Sequence, residues 1–217
     1  MALALFDLDN TLLTDDSDYL WGCFLVEKGL VDKTNYYEAN QRFYDEYKQG
    51  TLDIFEFLNF SLKPLAQYPR KKLDELHREF MQQYIYPVMT KKGQAQIQQH
   101  RENGDFTLII TATNRFVTEP IARAFQVDDL IATDPEIVDG EYTGKVAGTP
   151  CFQQGKLTCL NQWLEATSHD LESSVFYSDS HNDIPLLEQV TTPIAVDPDE
   201  LLKVLAKERN WEIRSFR

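Results

Sequence analysis

The chain has no surplus of positive charge: 21 lysines and arginines stand against 35 aspartates and glutamates, a formal net charge of -14. Such a surface repels nucleic-acid phosphates and anionic lipid, so neither nucleic acid nor membrane is an expected partner. Cysteine is scarce. The three present, Cys23, Cys151 and Cys159, are odd in number and show no C-x-x-C spacing, which fits a reducing compartment and argues against a zinc ribbon. Long apolar runs are missing too, and no stretch approaches the roughly 18 apolar residues of a membrane span. The opening Met-Ala-Leu-Ala-Leu-Phe-Asp lacks a basic region and its apolar run stops at an acid, so it reads as neither signal peptide nor anchor. The cytoplasm is the expected location.

What is present is an ordinary globular composition, 42% hydrophobic and 26% charged over 217 residues. A chain of this length buries roughly 70% of its unfolded surface and needs no disulfide staples. Five short apolar runs read as buried parallel strands: Ala2–Phe6, Thr107–Ile110, Leu130–Ala132, Val175–Tyr177 and Pro193–Val196. Helical patterns over Lys91–Asn103, Glu119–Phe125, Lys156–Ala166 and Pro185–Val190 alternate with them, as βαβ units require. The gap between the first two strands, about a hundred residues, is far longer than one crossover helix needs. Residues 15–87 are rich in helix formers and aromatics (Trp21, Phe24, Tyr36, Tyr37, Phe43, Tyr44, Tyr47, Phe55, Phe57, Phe60), with Pro64, Pro69 and Pro87 as punctuation. They predict an inserted bundle of about four helices over the sheet, with the aromatics as its core. Asp139-Gly140, between Ile137-Val138 and Tyr142-Thr143, predicts a hairpin.

The residues capable of chemistry lie where predicted strands end. Asp7 and Asp9 follow the first strand and can project into the crevice at the carboxyl edge of the sheet. Carboxylates buried there need a metal or a shared proton, although an Asp-rich turn capping a helix would look similar. Thr111 follows the second strand, where a hydroxyl and free N–H groups suit a phosphate oxygen or simply cap a helix. Lys156 opens a predicted helix, an unfavourable place for a cation in the helix dipole, but an isolated lysine is ordinarily a solvated one. Asp179 and Asp183 follow the fourth strand as a second acidic pair, and oxygen ligands without cysteine fit magnesium rather than zinc. His181, with no partner histidine at ligand spacing, reads as a solvent-facing loop residue. Acids after strands one and four, a hydroxyl after strand two and a lysine would all converge on one edge.

Asp7-Leu8-Asp9-Asn10-Thr11, Thr111, Lys156 and Asp179-Ser180-His181-Asn182-Asp183 together resemble the four motifs of the haloacid dehalogenase superfamily. The helical insertion after the first motif is similar to that of its phosphoserine-phosphatase-like branch, and to bacterial cytosolic hydrolases some of which act on histidinol phosphate. The resemblance spans nearly the whole chain. It implies an α/β fold: a Rossmann-like parallel sheet core over residues 1–14 and 88–217, with a helical-bundle cap domain over 15–87. It also implies a phosphoric monoester phosphatase using Mg2+, acting on a small-molecule phosphate ester of amino-acid metabolism as a monomer or homodimer. By this resemblance Asp7 is the nucleophile that becomes an aspartyl phosphate, and Asp9 is the general acid and base. Asp7, the Asp9 carbonyl and Asp179 would hold the metal, with Asp183 orienting from behind; Thr111, the Ala112 N–H, Asn182 and Lys156 would cradle the phosphoryl group.

For the substrate, Asp15-Asp16-Ser17-Asp18 lies at the entrance to the predicted cap. Acids beside a dianionic phosphate suggest a substrate that also carries a cation, or else they cap the first cap helix. Phosphoserine phosphatases carry an acid nine positions after the nucleophile that meets the substrate ammonium, and Asp16 matches it. Their cap arginine, which binds the substrate carboxylate, aligns through Gly50-Thr51-Leu52 with Ser61, with Asn59 two residues earlier; Arg42 or Lys63 could take its place. The missing arginine favours histidinol phosphate or another amino-alcohol phosphate over phosphoserine. The rival readings are phosphoserine hydrolysis and a phosphoryl transferase or mutase on the same fold. A receiver-type phospho-acceptor is disfavoured by the large insertion.

Overall fold

The run Leu3-Ala4-Leu5-Phe6 contains no polar residue, as a strand covered on both faces requires. In the computed structural model, which describes residues 2–217, it forms β1 (Leu3–Phe6) at the middle of a seven-stranded sheet. The parallel strands β2 (Phe106–Asn114) and β5 (Val175–Ser178) flank it; β3 (Asp129–Val138) lies beyond β2, and β6 (Thr192–Val196) and β7 (Glu212–Arg214) beyond β5. β4 (Glu141–Ala147) runs antiparallel to β3 through the expected hairpin, whose turn residues Asp139 and Gly140 have φ of 53° and 84°. Two successive positive φ values are what a type I′ turn demands.

Between β1 and β2 the chain leaves the sheet for four helices, α1 (Ser17–Glu27), α2 (Lys33–Gln49), α3 (Ile54–Ser61) and α4 (Arg70–Phe80). Asp16, Asp32 and Asp53 cap the first three, each accepting N–H groups of the first turn that would otherwise be orphaned. The outgoing and returning segments run side by side: the Thr14 N–H donates to the Val88 carbonyl (2.8 Å) and the Thr90 N–H to that of Leu12 (2.9 Å). Trp21 stacks on Phe24 and meets both Phe80 and Phe116 edge-on, which joins this bundle to the sheet layer. Gly22 lets α1 and α2 approach, since a Cβ there would lie 2.5 Å from the Asn40 side-chain nitrogen.

The remaining helices cover both faces of the sheet. Side chains alternate along each strand, so the sheet feeds two cores. Ala4, Phe6, Ile109 and Tyr177 pack with Ile97 of α5 (Lys91–Glu102) and with Val117, Ile121 and Phe125 of α6 (Arg115–Phe125). Leu3, Leu5, Leu108 and Ile110 pack on the other side with Leu160 of α7 (Gln154–Ala166), Leu186 and Leu187 of α8 (Ile184–Leu187), and Leu202 and Ala206 of α9 (Glu200–Glu208).

Several expectations are corrected at the level of boundaries. α6 begins at Arg115, four residues before the predicted start, because Asn114 caps it by accepting the Val117 N–H. α8 stops at Leu187, short of Val190. β7 and α9 have no counterpart in the sequence reading. The aromatic stripe is not uniformly core: Trp21 and Phe24 are buried, but Tyr37 and Phe55 are 48% and 58% exposed. Phe43, Tyr44, Tyr47 and Phe57 line a crevice instead.

Candidate active site

The last rung of the sheet fixes Asp7: its N–H donates to the Tyr177 carbonyl at 2.9 Å. The chain then coils through a tight π-helical turn, Leu8–Leu12, in which Asn10 takes a left-handed φ of 58°. That turn brings Thr11 back over the strand ends. Its hydroxyl lies 3.0 Å from Asp179 Oδ1 and 3.4 Å from Asp7 Oδ2, one proton between two carboxylates.

Lys156 is no surface residue. It is buried at the start of α7, with its Nζ 2.9 Å from Asp7 Oδ1 and 2.6 Å from Asp183 Oδ1. The Ser178 hydroxyl donates to the other Asp183 oxygen at 2.7 Å, so both oxygens of Asp183 are engaged behind the lysine. Gly155 is required for this approach, because a Cβ there would lie 2.1 Å from the Pro150 carbonyl oxygen. Gln153, just before α7, takes a φ of 48° and a ψ of -121°, strained for a residue with a side chain, and its Nε2 donates to Asn182 Oδ1 at 2.9 Å. The Asn182 amide in turn donates to the Tyr47 carbonyl at 3.2 Å, linking α2 to the loop after β5.

Asp9 accepts the Ser17 N–H at 2.7 Å and the Thr113 hydroxyl at 2.8 Å, with the Thr111 hydroxyl at 3.4 Å. Thr111 is therefore not a helix cap; Asn114 does that work, and the Thr111 oxygen accepts the Thr113 N–H at 3.2 Å. His181 does not face solvent freely either. Its Nδ1 lies 2.7 Å from Asp199 Oδ2, and its Nε2 would be 2.7 Å from any Cβ at Gly50.

Asp7, Asp9, Asp179 and Asp183 thus share one sheet edge with the single ammonium of Lys156. Burial pushes Asp7 up to about 7 against the pull of Lys156, with Asp183 and Asp9 adding to the rise. Burial also raises Asp9, while hydrogen bonds from Ser17 and Thr113 hold the rise back. Asp179 is driven well above its ordinary value by burial and then by the Asp7 charge. Burial opposes the charge of Lys156, but Asp183 and Asp7 outweigh it and raise its pKa. A cluster with this imbalance takes up either protons or a cation. Its donors are all oxygens, as a hard divalent ion prefers. Among the described residues no three His, Cys, Asp or Glu side chains are grouped to hold a metal ion by themselves, so an ion here would also need ligands such as backbone carbonyls and water.

Above this edge lies a narrow crevice walled by Tyr19, Phe43, Tyr44, Tyr47, Phe57 and Phe152 and by the acids Asp16 and Asp18, with Thr111 and Ala112 also in its lining. Asp16 both caps α1, accepting the Asp18 and Tyr19 N–H groups at 3.0 and 2.8 Å, and borders the crevice. Among the described residues no lysine or arginine side chain lines it. Ser61 lies buried away from it with its hydroxyl unpartnered, Arg42 is paired at the surface with Glu46 and Glu56, and Lys63 borders a separate groove. The sequence reading gives no role to Thr113, Gln153 or Phe152, which carry no motif spacing and reach the site only through the fold; Asp18 it names only within the acidic run at the entrance to the predicted cap.

A parallel sheet with helices on both faces, acids at the ends of two neighbouring strands and a buried lysine between them defines a class of hydrolases. The family model for haloacid dehalogenase-like hydrolases matches residues 4–188, and the chain belongs to that family. A histidinol-phosphatase of Neisseria meningitidis serogroup C is 46% identical over 99% of both chains. A phosphoserine phosphatase of Mycobacterium tuberculosis is 30% identical over 100% of this chain and 71% of its own. Among solved structures, a protein of unknown function from Bordetella pertussis Tohama I is 44% identical, with a TM-score of 0.94 and coverage of 100% and 99%. A substrate-bound phosphoserine phosphatase, 19% identical with a TM-score of 0.72 over 100% and 93% of the two chains, shares the fold. The expected α/β architecture with its helical insertion therefore stands, and no described helix is long and apolar enough to cross a membrane.

Proposed function

We propose that the chain is a magnesium-dependent phosphomonoesterase that hydrolyses a small amine-bearing phosphate ester, histidinol phosphate before others, through an aspartyl phosphate on Asp7. The observation that carries this reading is the crevice itself: acids and aromatic rings, with no lysine or arginine in its lining, above an aspartate tethered to a buried lysine. The 46% identical relative named a histidinol-phosphatase points the same way. In this reading residues 15–87 are the cap domain and residues 1–14 and 88–217 the catalytic core.

Lys156 partly offsets the burial that disfavours ionised Asp7 and aims one of its oxygens, leaving the other to attack phosphorus. Asp9, raised by burial and oriented by Ser17 and Thr113, carries the proton that the leaving alcohol takes, and later removes one from water. Thr111, the Ala112 N–H, Lys156 and the second amide hydrogen of Asn182 receive the phosphoryl oxygens, where charge spreads in the transition state. Asp7, the Asp9 carbonyl and Asp179 would hold the metal, with Asp183 acting through Lys156. When bound, the ion supplies charge neutralisation for the phosphoryl group. Asp16 meets the substrate ammonium. A carboxylate on the substrate would find no cation in the crevice lining, which disfavours phosphoserine.

The test is phosphate release from histidinol phosphate, phosphoserine, phosphoethanolamine and an aryl phosphate, with magnesium, with chelator and with Asp7→Asn. The expected result is magnesium-dependent turnover with histidinol phosphate at least about tenfold ahead of phosphoserine in kcat/KM, and loss of nearly all turnover in Asp7→Asn. A clear preference for phosphoserine, or more than a few per cent residual activity in the variant, would overturn it.

A further inference from the structure

The two acids at the start of α1 are not equivalent. The Asp16 carboxylate is already at work inside the protein, since one of its oxygens takes the N–H groups of Asp18 and Tyr19. Asp18 does no capping. It lies within the first turn of α1, is only 8% exposed, and borders the crevice. Among the described residues one donor reaches it: the Asn114 side-chain amide, at 3.1 Å from Oδ1. That amide is itself fixed, because its own oxygen accepts the Val117 N–H at 3.2 Å, so the NH2 group is aimed at Asp18. Among the described residues no donor meets the second oxygen of Asp18, and Lys156 is engaged with Asp7 and Asp183.

Burial pushes Asp18 up to about 7, and the Asp9 charge adds to the shift. A carboxyl group held this way is costly unless something brings it positive charge or a strong donor. The surrounding wall says what shape that something has. Tyr47, Phe57 and Phe152 supply ring surface suited to a planar cation or heteroaromatic ring, and such faces attract positive charge; Phe43 and Tyr44 also border the crevice, but Arg42 and Lys48 already lie 4.2 and 4.3 Å over their rings.

We propose that Asp18 is a specificity-determining residue, holding a second N–H-bearing cationic group of the substrate beyond the ammonium met by Asp16. This rests on the phosphomonoesterase reading above and narrows its substrate class. The preferred ester carries a primary ammonium near the phosphate and a flat, protonatable nitrogen ring further out. Histidinol phosphate has both features, and phosphoethanolamine has only the first.

The experiment compares wild type with Asp18→Asn, which keeps the size of the side chain and an oxygen for the Asn114 amide. The readout is the ratio of kcat/KM for histidinol phosphate to that for phosphoethanolamine. Loss of a charged hydrogen bond should lower this ratio roughly thirtyfold. An equal fall on both esters would make Asp18 a structural residue and overturn the proposal. Binding of phosphate-free histidinol, followed by titration calorimetry on both proteins, supplies the independent arm. If wild type hydrolyses no ester, the phosphatase reading fails, yet a loss of histidinol affinity in Asp18→Asn still supports the Asp18 assignment. Equal histidinol affinity in the two proteins would sink it.

Discussion

At the floor of the crevice Lys156 meets Asp7 at 2.9 Å and Asp183 at 2.6 Å, and Ser178 and Thr11 engage the neighbouring carboxylates. In the roof, Asp16 and Asp18 stand among aromatic rings, and among the described residues no lysine or arginine side chain lines the crevice. Under the proposed function the floor would work on any phosphoryl group: its groups are fixed by one another before a ligand arrives, which is what electrostatic preorganisation requires. The roof leaves charge uncompensated, so its cost is recovered only by a ligand that brings the opposite sign. Each floor carboxylate is met by a protein donor, although together they outnumber their one cation, whereas Asp18 in the roof is met by a single amide.

Breaking the floor should have the largest effect. Lys156→Met leaves Asp7 and Asp183 buried without their shared cation. The expected loss is at least about a hundredfold in kcat, together with about 3 kcal/mol of stability measured by denaturant unfolding. Histidinol binding in the roof should survive, since Lys156 is not among the groups that line it. A variant that loses floor and roof functions in equal measure would show that the two halves are one unit.

A smaller effect separates the halves by pH. Burial raises Asp7 to about 7, far above the ordinary carboxylate value of about 3.9. The native state therefore holds this proton more tightly than the unfolded chain. The associated stability is fully present below about pH 4 and is lost as pH rises through about 7. Asp9 and Asp179 are shifted in the same direction. The metal-free protein should consequently be less stable at pH 8 than at pH 5. Magnesium should reverse this, raising Tm by about 5 to 10 °C at pH 8 when it is well above its Kd, and by much less at pH 5, where protons compete. A magnesium shift of equal size at both pH values would place the ion away from these carboxylates.

The same division explains what could be read in the sequence. Asp7, Asp9, Asp179 and Asp183 were legible because each follows an apolar strand, and Thr111 because it follows the apolar run of β2, which itself continues to Asn114; parallel strands deliver their ends to one edge. Lys156 was visible as an oddity of the helix dipole, but its burial depends on Gly155 clearing the Pro150 carbonyl. The roof had no such grammar. Phe43, Tyr44, Tyr47 and Phe57 share the helical pattern of Trp21 and Phe24, and only the packing of α2 and α3 decides which faces the crevice. Asp18 resembles any acid of a first helical turn until Asn114, ninety-six residues away, is found against it. β7 is three residues with both neighbouring faces largely open, too short and too polar to announce itself.

The smallest expected effect tests where the roof ends. The resemblance drawn from the sequence sets Ser61 opposite a carboxylate-binding arginine, yet in the fold Ser61 is 6% exposed, is not among the residues that line the crevice, and has a hydroxyl with no hydrogen-bond partner among the described residues. A buried hydroxyl without a partner costs free energy, so Ser61→Ala should be neutral or stabilising, by no more than about 1 kcal/mol. Its preference between histidinol phosphate and phosphoserine should stay within about twofold of wild type, the scatter expected of a residue that touches neither ester. A larger change in preference would carry the roof as far as the end of α3, and the contrast between floor and roof would then have to include a polar group that reaches the substrate only when the helices shift.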